Sequence, residues 1–335
     1  MPSSNQRTTS WILHQTLWNS TKKSLLRRTK MPVKDKYKHY KSDFTRNLKE
    51  FAKGLSEYVA NGDGQWKVKG FIDILKNIYT ISADTKIISK ILEIHLFPAI
   101  VKFADDFNYN IVLPDHQNYY PDLSFVHKEN DKIRFAVDIK TTFRILENPG
   151  VVNGFTLGSH GSYFKDRNSN KNIQFPYNTY LGHYCIGIIY TRTNLENDVE
   201  RKLIRVTELQ PDGQSKLNIK YETVEFDKLD SIVSVIKDFT FFACEKWQLA
   251  SDIQGSGNTA NIGSIIDIED IINGNGMFAN LGEKWFDEYW INYGKLTKLV
   301  NGKLVKIKRL KEYVEFKGGD VSKINPKKGK SQRKK

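Results

Sequence analysis

Three side chains have the types and spacing that phosphodiester hydrolysis requires: Asp122 in NYYPDLSF, and Asp138 and Lys140 in FAVDIKTT. That reaction needs the charge that builds on phosphoryl and leaving oxygens to be neutralised, and it needs a nucleophile made from water near neutral pH. Hard carboxylate oxygens hold Mg²⁺ through one or two protein ligands and leave the rest of its shell to water. A cation held this way acidifies water and polarises the phosphate. An ammonium group beside it orients the water or offsets charge on a non-bridging oxygen. Asp-x-Lys on the wet face of a strand is also commonplace as a solvated ion pair, so the residues alone leave both readings open. Two further features are equally open. Glu93, among Ile87, Ile91, Leu92 and Ile94, lies either on a solvent stripe or towards a cation. The stretch GSGNTAN is either plain surface turn or a loop that offers backbone groups and an Asn amide to a ligand.

The elements around these residues follow from hydrophobic period. In IRFAVDIK the alternation sends Ile133, Phe135, Val137 and Ile139 to one face, and Arg134, Ala136, Asp138 and Lys140 to the other. PDLSFV reads as the preceding strand and HKENDK as the turn between them. A hairpin closing symmetrically about Asn130 sets Asp122 opposite Asp138, where β-carbons stand about 4.5 to 5.5 Å apart and two acids need something positive between them. SDFTRNLKEFAKGLSEYV predicts a helix with Ser42 as its cap and Leu48, Phe51, Leu55 and Val59 on one stripe. WKVKGFIDI alternates like a strand. ADTKIISKILEIHLFPAIVKFADDF predicts a longer helix that Pro98 should kink or interrupt. YLGHYCIGIIYTRT reads as a helix or a buried strand.

The chain has 335 residues, 39% hydrophobic, 12% aromatic and 27% charged, which excludes wholesale disorder and suffices for a sizeable core. Its net charge of +14 is concentrated at the ends: +8 in residues 1–40 and +7 in residues 317–335, which leaves −1 between them. Basic ends suit a polyanion but are equally common as solubilising segments, so charge says little about function. The expected organisation is a basic extension over residues 1–42, one domain over 43–312 and a basic tail over 313–335. Cys185 and Cys244 read as buried reduced thiols rather than a disulfide framework. No apolar stretch approaches the roughly 18 residues of a membrane span. The acid-poor start resembles a transit peptide in composition, while Met31 followed by Pro32 suits a variable extension or an upstream start codon; the expected address is the cytoplasm.

Asp122, Asp138 and Lys140 together resemble the PD-(D/E)XK nuclease signature, in the form found in EcoRV-like type II restriction endonucleases. The likeness continues in the same order through ADTKIISKILE, QNYYPDL, VDIKTT, FTLGS, IIYTRT, GSGNTANIGS and EYWINY. It implies an α/β restriction-endonuclease-like core, with a mixed central β-sheet flanked by helices. It further implies that Asp122, Asp138 and Glu93 are metal-binding carboxylates and that Lys140 is the catalytic lysine. Gly255, Ser256, Gly257, Asn258, Thr259 and Asn261 would belong to a recognition loop in the major groove, and Gln117 and Asn118 to a loop on the minor-groove side. Lys86, Thr142, Ser162 and Lys171 would contact the DNA backbone, although residues 158–171 run two residues longer than the family pattern.

The resemblance implies a homodimer that uses Mg²⁺ to cut both strands of double-stranded DNA at GATATC. The cut would leave blunt ends with 5′-phosphates, and a separately encoded DNA methyltransferase would be the functional partner. Ala260 stands where the family loop has a second threonine, and Ile291 where an arginine able to reach DNA is expected. Two other readings keep the same core: a DNA-binding protein that has lost cleavage, and a repair or junction nuclease that selects structure over sequence.

Overall fold

The structure, a computed structural model, describes residues 34–193, 203–206, 222–255 and 260–326. Helix α1 (Lys38–Val59) buries Phe44, Leu48, Ala52, Leu55 and Val59, spaced every three or four residues on one stripe. It starts ahead of the expected cap: Ser42 sits inside the first turn, where its Oγ donates to the Lys38 carbonyl (3.2 Å). The short strands β1 (Gly70–Ile72) and β2 (Asn77–Thr80) follow. Helix α2 (Thr85–Asp106) is capped by Asp84, whose Oδ1 accepts from the amides of Lys86 (2.9 Å) and Ile87 (3.2 Å).

Pro98 does not interrupt α2. The proline removes the amide that would bond the Ile94 carbonyl, but both residues are exposed, so water can reach that carbonyl. On the opposite side Ile88, Leu92, Leu96, Ile100 and Phe103 are buried without a break and carry the helix past the proline.

Next come β3 (Tyr109–Val112), β4 (Leu123–His127), β5 (Arg134–Ile145), β6 (Asn148–Val152), β7 (Thr156–Ser159), α3 (Ser162–Lys165) and β8 (Gly182–Arg192). They are followed by β9 (Leu203–Val206), β10 (Glu222–Val224), β11 (Ile236–Glu245), α4 (Lys246–Leu249), β12 (Ala250–Gln254) and β13 (Asn261–Ser264). The chain continues through α5 (Ile268–Asn273), α6 (Glu283–Asn292), β14 (Thr297–Val300), β15 (Lys303–Lys306) and α7 (Leu310–Phe316). The central sheet runs β11-β8-β5-β4-β3, with β6 also on β5. Only β5 and β8 pair parallel on this path, so the sheet is mixed and flanked by helices, as the resemblance implied.

The YLGHYCIGIIY run thus resolves as the strand β8. Gly187 at its centre accommodates the Phe242 ring of β11: a β-carbon there would sit 1.9 Å from Phe242 Cζ. The alternation in β5 sends Ile133, Phe135, Val137 and Ile139 into the apolar core shared with α1 and α2. The other face is buried as well at Arg134, Ala136 and Asp138. It is covered by a second apolar layer built from β7, β12, β13 and the helices after them.

Ordered structure extends beyond both expected domain limits. α1 begins before residue 43, and Tyr313 and Val314 of α7 are buried in the second layer, past residue 312. Cys185 and Cys244 are buried free thiols. Among the described residues no helix is long and apolar enough to cross a membrane.

Candidate active site

The β4–β5 hairpin sets the site. Leu123 pairs with Val137, Ser124 with Ala136 and Phe125 with Phe135, the register that closure about Asn130 predicts. Asp122, one residue ahead of β4, therefore meets Asp138. Its amide donates to Asp138 Oδ1 (3.2 Å), and the Ile139 amide donates to Asp122 Oδ2 (2.8 Å). The positive group that two such acids need is Lys140, whose Nζ lies 3.1 Å from Asp138 Oδ2 and 3.7 Å from Asp122 Oδ2.

Burial differs across the trio. The Asp138 side chain is 5% exposed, Lys140 22% and Asp122 38%, so Asp122 is the member that opens outward. Burial pushes the Asp122 carboxyl up to about 6; Lys140 and the Ile139 amide oppose that rise, while Asp138 and Glu93 add to it. Burial pulls the Lys140 ammonium down, but the two carboxylates outweigh it and hold the group charged well above the usual lysine range.

Asp122 lines a cleft of about 860 Å³ between the first turns of α2 and the loop ahead of β4. Lys86, Ser89, Lys90, Glu93 and Gln117 line the same cleft. Glu93 thus faces the site, but its Oε2 is engaged by Lys90 Nζ (2.8 Å). Among the described residues no three His, Cys, Asp or Glu side chains are assembled as a ready ligand set. The pair Asp122 and Asp138 is preformed; Glu93 stands beside it.

The remaining expected residues divide. Asn118, Ser162 and Lys171 are exposed. Thr142 is 3% exposed, and its Oγ1 is buried with no hydrogen-bond partner among the described residues, so no surface contact is open to it as it stands. Gly255 follows β12, which pairs antiparallel with β13, and its amide donates to the Asn261 carbonyl (3.0 Å). A β-carbon at Gly255 would approach Thr156 Cγ2 to 2.7 Å, a close approach that only glycine permits. Asn261, on β13, pairs with Ser159 of β7. Ser256, Gly257, Asn258 and Thr259 lie outside the described residues. Ile291 packs against the second apolar layer rather than reaching outward.

Two features escaped the sequence reading. Tyr120, two residues before Asp122, is held by a buried chain: its hydroxyl donates to His183 Nδ1 (2.8 Å), and His183 Nε2 in turn faces the Tyr177 carbonyl (3.1 Å). Tyr177 stacks on His183 at 3.7 Å between ring centroids, and Tyr163 stacks on Tyr120 at 5.1 Å. This stack anchors the entry to β4. The second feature is Lys246, buried beneath the site (1% exposed) at the start of α4. The motif EKW held no signal for it, because lysine after a strand is ordinarily a surface residue.

The donor set fits a hard divalent cation. Two carboxylates project towards one place, and a lysine already balances them. An acid before one strand, Asp-x-Lys on its antiparallel neighbour and a mixed sheet between helical layers define a PD-(D/E)XK nuclease core. The family described as Restriction endonuclease EcoRV matches residues 62–220 and 212–318 of the chain. The Type II restriction enzyme EcoRV of Escherichia coli is 33% identical over 251 residues, which cover 75% of this chain and 91% of that enzyme. The chain belongs to the EcoRV family of type II restriction endonucleases.

Proposed function

We propose that the protein is a Mg²⁺-dependent endonuclease that cuts both strands of DNA at GATATC, leaving blunt ends and 5′-phosphates. The observation that carries this reading is the trio itself: Lys140 Nζ within 3.7 Å of both acids, with Asp122 opening into the cleft. Asp122 and Asp138 hold the cation, and Glu93 joins them if it leaves Lys90. A divalent cation held there supplies Lewis acidity towards the phosphodiester and makes water a better nucleophile. Lys140 offsets charge on a non-bridging phosphate oxygen and orients the attacking water. Lys86 and Gln117, on the walls of the cleft, meet the DNA strand, with Asn118, Ser162 and Lys171 on the surface around it.

Specificity for GATATC draws support from the GSGNTAN loop, in which the glycines and Asn258 are kept although Ala260 is not, and Asn258 has the amide for a bidentate contact with adenine. The central TA step is easily kinked and adds readout through bending. Cutting both strands of a palindrome calls for two sites related by a twofold axis, hence a homodimer. An exposed apolar ribbon suits that role: in the β1–β2 hairpin Phe71 is 54% exposed, Ile72 62%, Ile74 96% and Leu75 64%. A DNA methyltransferase that protects the same sequence completes the biological setting.

Digestion of DNA of known sequence with and without Mg²⁺, with fragment ends mapped, tests the whole reading. Discrete blunt fragments ending at GAT/ATC are expected. Cutting at another discrete sequence would reassign the specificity to Ala260 and Ile291. Cutting that follows DNA structure, or binding without cutting, would replace the reading.

A further inference from the structure

Lys246 is a fully buried lysine that the catalytic account leaves unused. Its Nζ has no hydrogen-bond acceptor among the described residues. Its nearest partner is the face of the Tyr120 ring, 4.6 Å from Nζ to the centroid, two residues before Asp122. On its other side Nζ presses on β7, where a β-carbon at Gly158 would lie 3.1 Å away. An unpaired ammonium in such a place is costly, and replacing it with an apolar side chain of similar length is ordinarily neutral or stabilising. A purely structural position would favour leucine or methionine. Burial pushes Lys246 down to about 8; Asp138 and Cys185 pull it up, while Lys140 and Arg167 push it further down. Asp138 is thus the carboxylate that most favours its charge, although no ion pair joins the two.

We propose that Lys246 is a positioning residue of the metal site, a second buried cation behind Asp138 that balances the acid pair and weakens its hold on a divalent cation in the DNA-free protein. The inference rests on the reading of Asp122 and Asp138 as metal ligands. Two carboxylates stand against two lysines, Lys140 in contact with both acids and Lys246 buried against the Tyr120 ring two residues before Asp122, so the charge of the acid pair is offset before a cation arrives. Lys140 is half of that balance and touches both acids; Lys246 is the other half and acts through the field alone. Its removal would leave the site net negative without changing a single metal-ligating atom.

The test is calorimetric titration of Mg²⁺ and of Mn²⁺ into the DNA-free protein at pH 7, for the parent, K246M, K246R and D138N. K246M should bind the cation tighter by on the order of tenfold, since a repelling unit charge in a low-dielectric surround has been removed. K246R, which keeps the charge, should bind like the parent. K246M should also melt no lower than the parent; if it does not fold, K246Q takes its place in the titration. D138N binding the cation as well as the parent would overturn the metal-site reading and this inference with it. D138N binding weakly while K246M binds like the parent, or more weakly, would overturn the inference alone and make Lys246 a packing residue.

Discussion

Asp122 governs how the site responds to pH. Burial holds its carboxyl near 6, above the ordinary aspartate range, so lowering the pH through that value protonates it and removes the charge through which it is proposed to hold a cation. For folding the sign is opposite: a raised carboxyl contributes most below its unfolded value and loses that contribution as pH rises through about 6. Cleavage at limiting Mg²⁺ should therefore fall below about pH 6 as one proton is taken up. Once Mg²⁺ exceeds its dissociation constant, each further tenfold increase should move that limb to lower pH by about one unit, since proton and cation compete for one carboxylate. An acid limb that ignores the Mg²⁺ concentration would contradict this. Lys140→Ala removes the shared counter-charge, and turnover should drop by about 10² to 10³ in single-turnover assays while Mg²⁺ still binds. The trio was legible in the sequence because strict alternation and the polar turn HKENDK leave the hairpin one register. Lys246 was not, because only the stacking of a second layer on the β5 face turns a strand-end lysine into a buried one.

The elements owe their form to which groups their neighbours cover. The YLGHYCIGIIY run left helix and strand open, since an apolar run buried on both faces shows no period; parallel pairing with β5 settles it. Gly187 is the price of that packing, and Gly187→Ala should force Phe242 aside and destabilise the fold by about 1–3 kcal/mol in chemical denaturation. No loss of stability would mean that β8 and β11 do not meet as described. Pro98 leaves α2 uninterrupted because the buried stripe Ile88, Leu92, Leu96, Ile100 and Phe103 carries the helix past it. The α2 amino terminus, which carries Lys86 into the cleft, depends on its cap, so Asp84→Ala should cost about 1 kcal/mol.

The apolar β1–β2 ribbon sits on a small sheet with β9 and β10, apart from the central one. Replacing Ile74 and Leu75 together by Asp should convert a dimer to a monomer in sizing with light scattering and leave the monomer folded. Double-strand cutting should then fall steeply with dilution; a dimer that survives the change would move the interface elsewhere. The sequence displayed the mixed α/β plan through its motifs, but it could not reveal the second layer, which closes over β5 from β7, β12 and β13, far apart in the chain. The account turns most directly on Asp138, the innermost of the proposed ligands. Asp138→Ala, compared with the parent protein on supercoiled plasmid in Mg²⁺, should keep the parent's circular dichroism and lose cleavage to background. Cleavage by that variant at the parent rate would contradict the account.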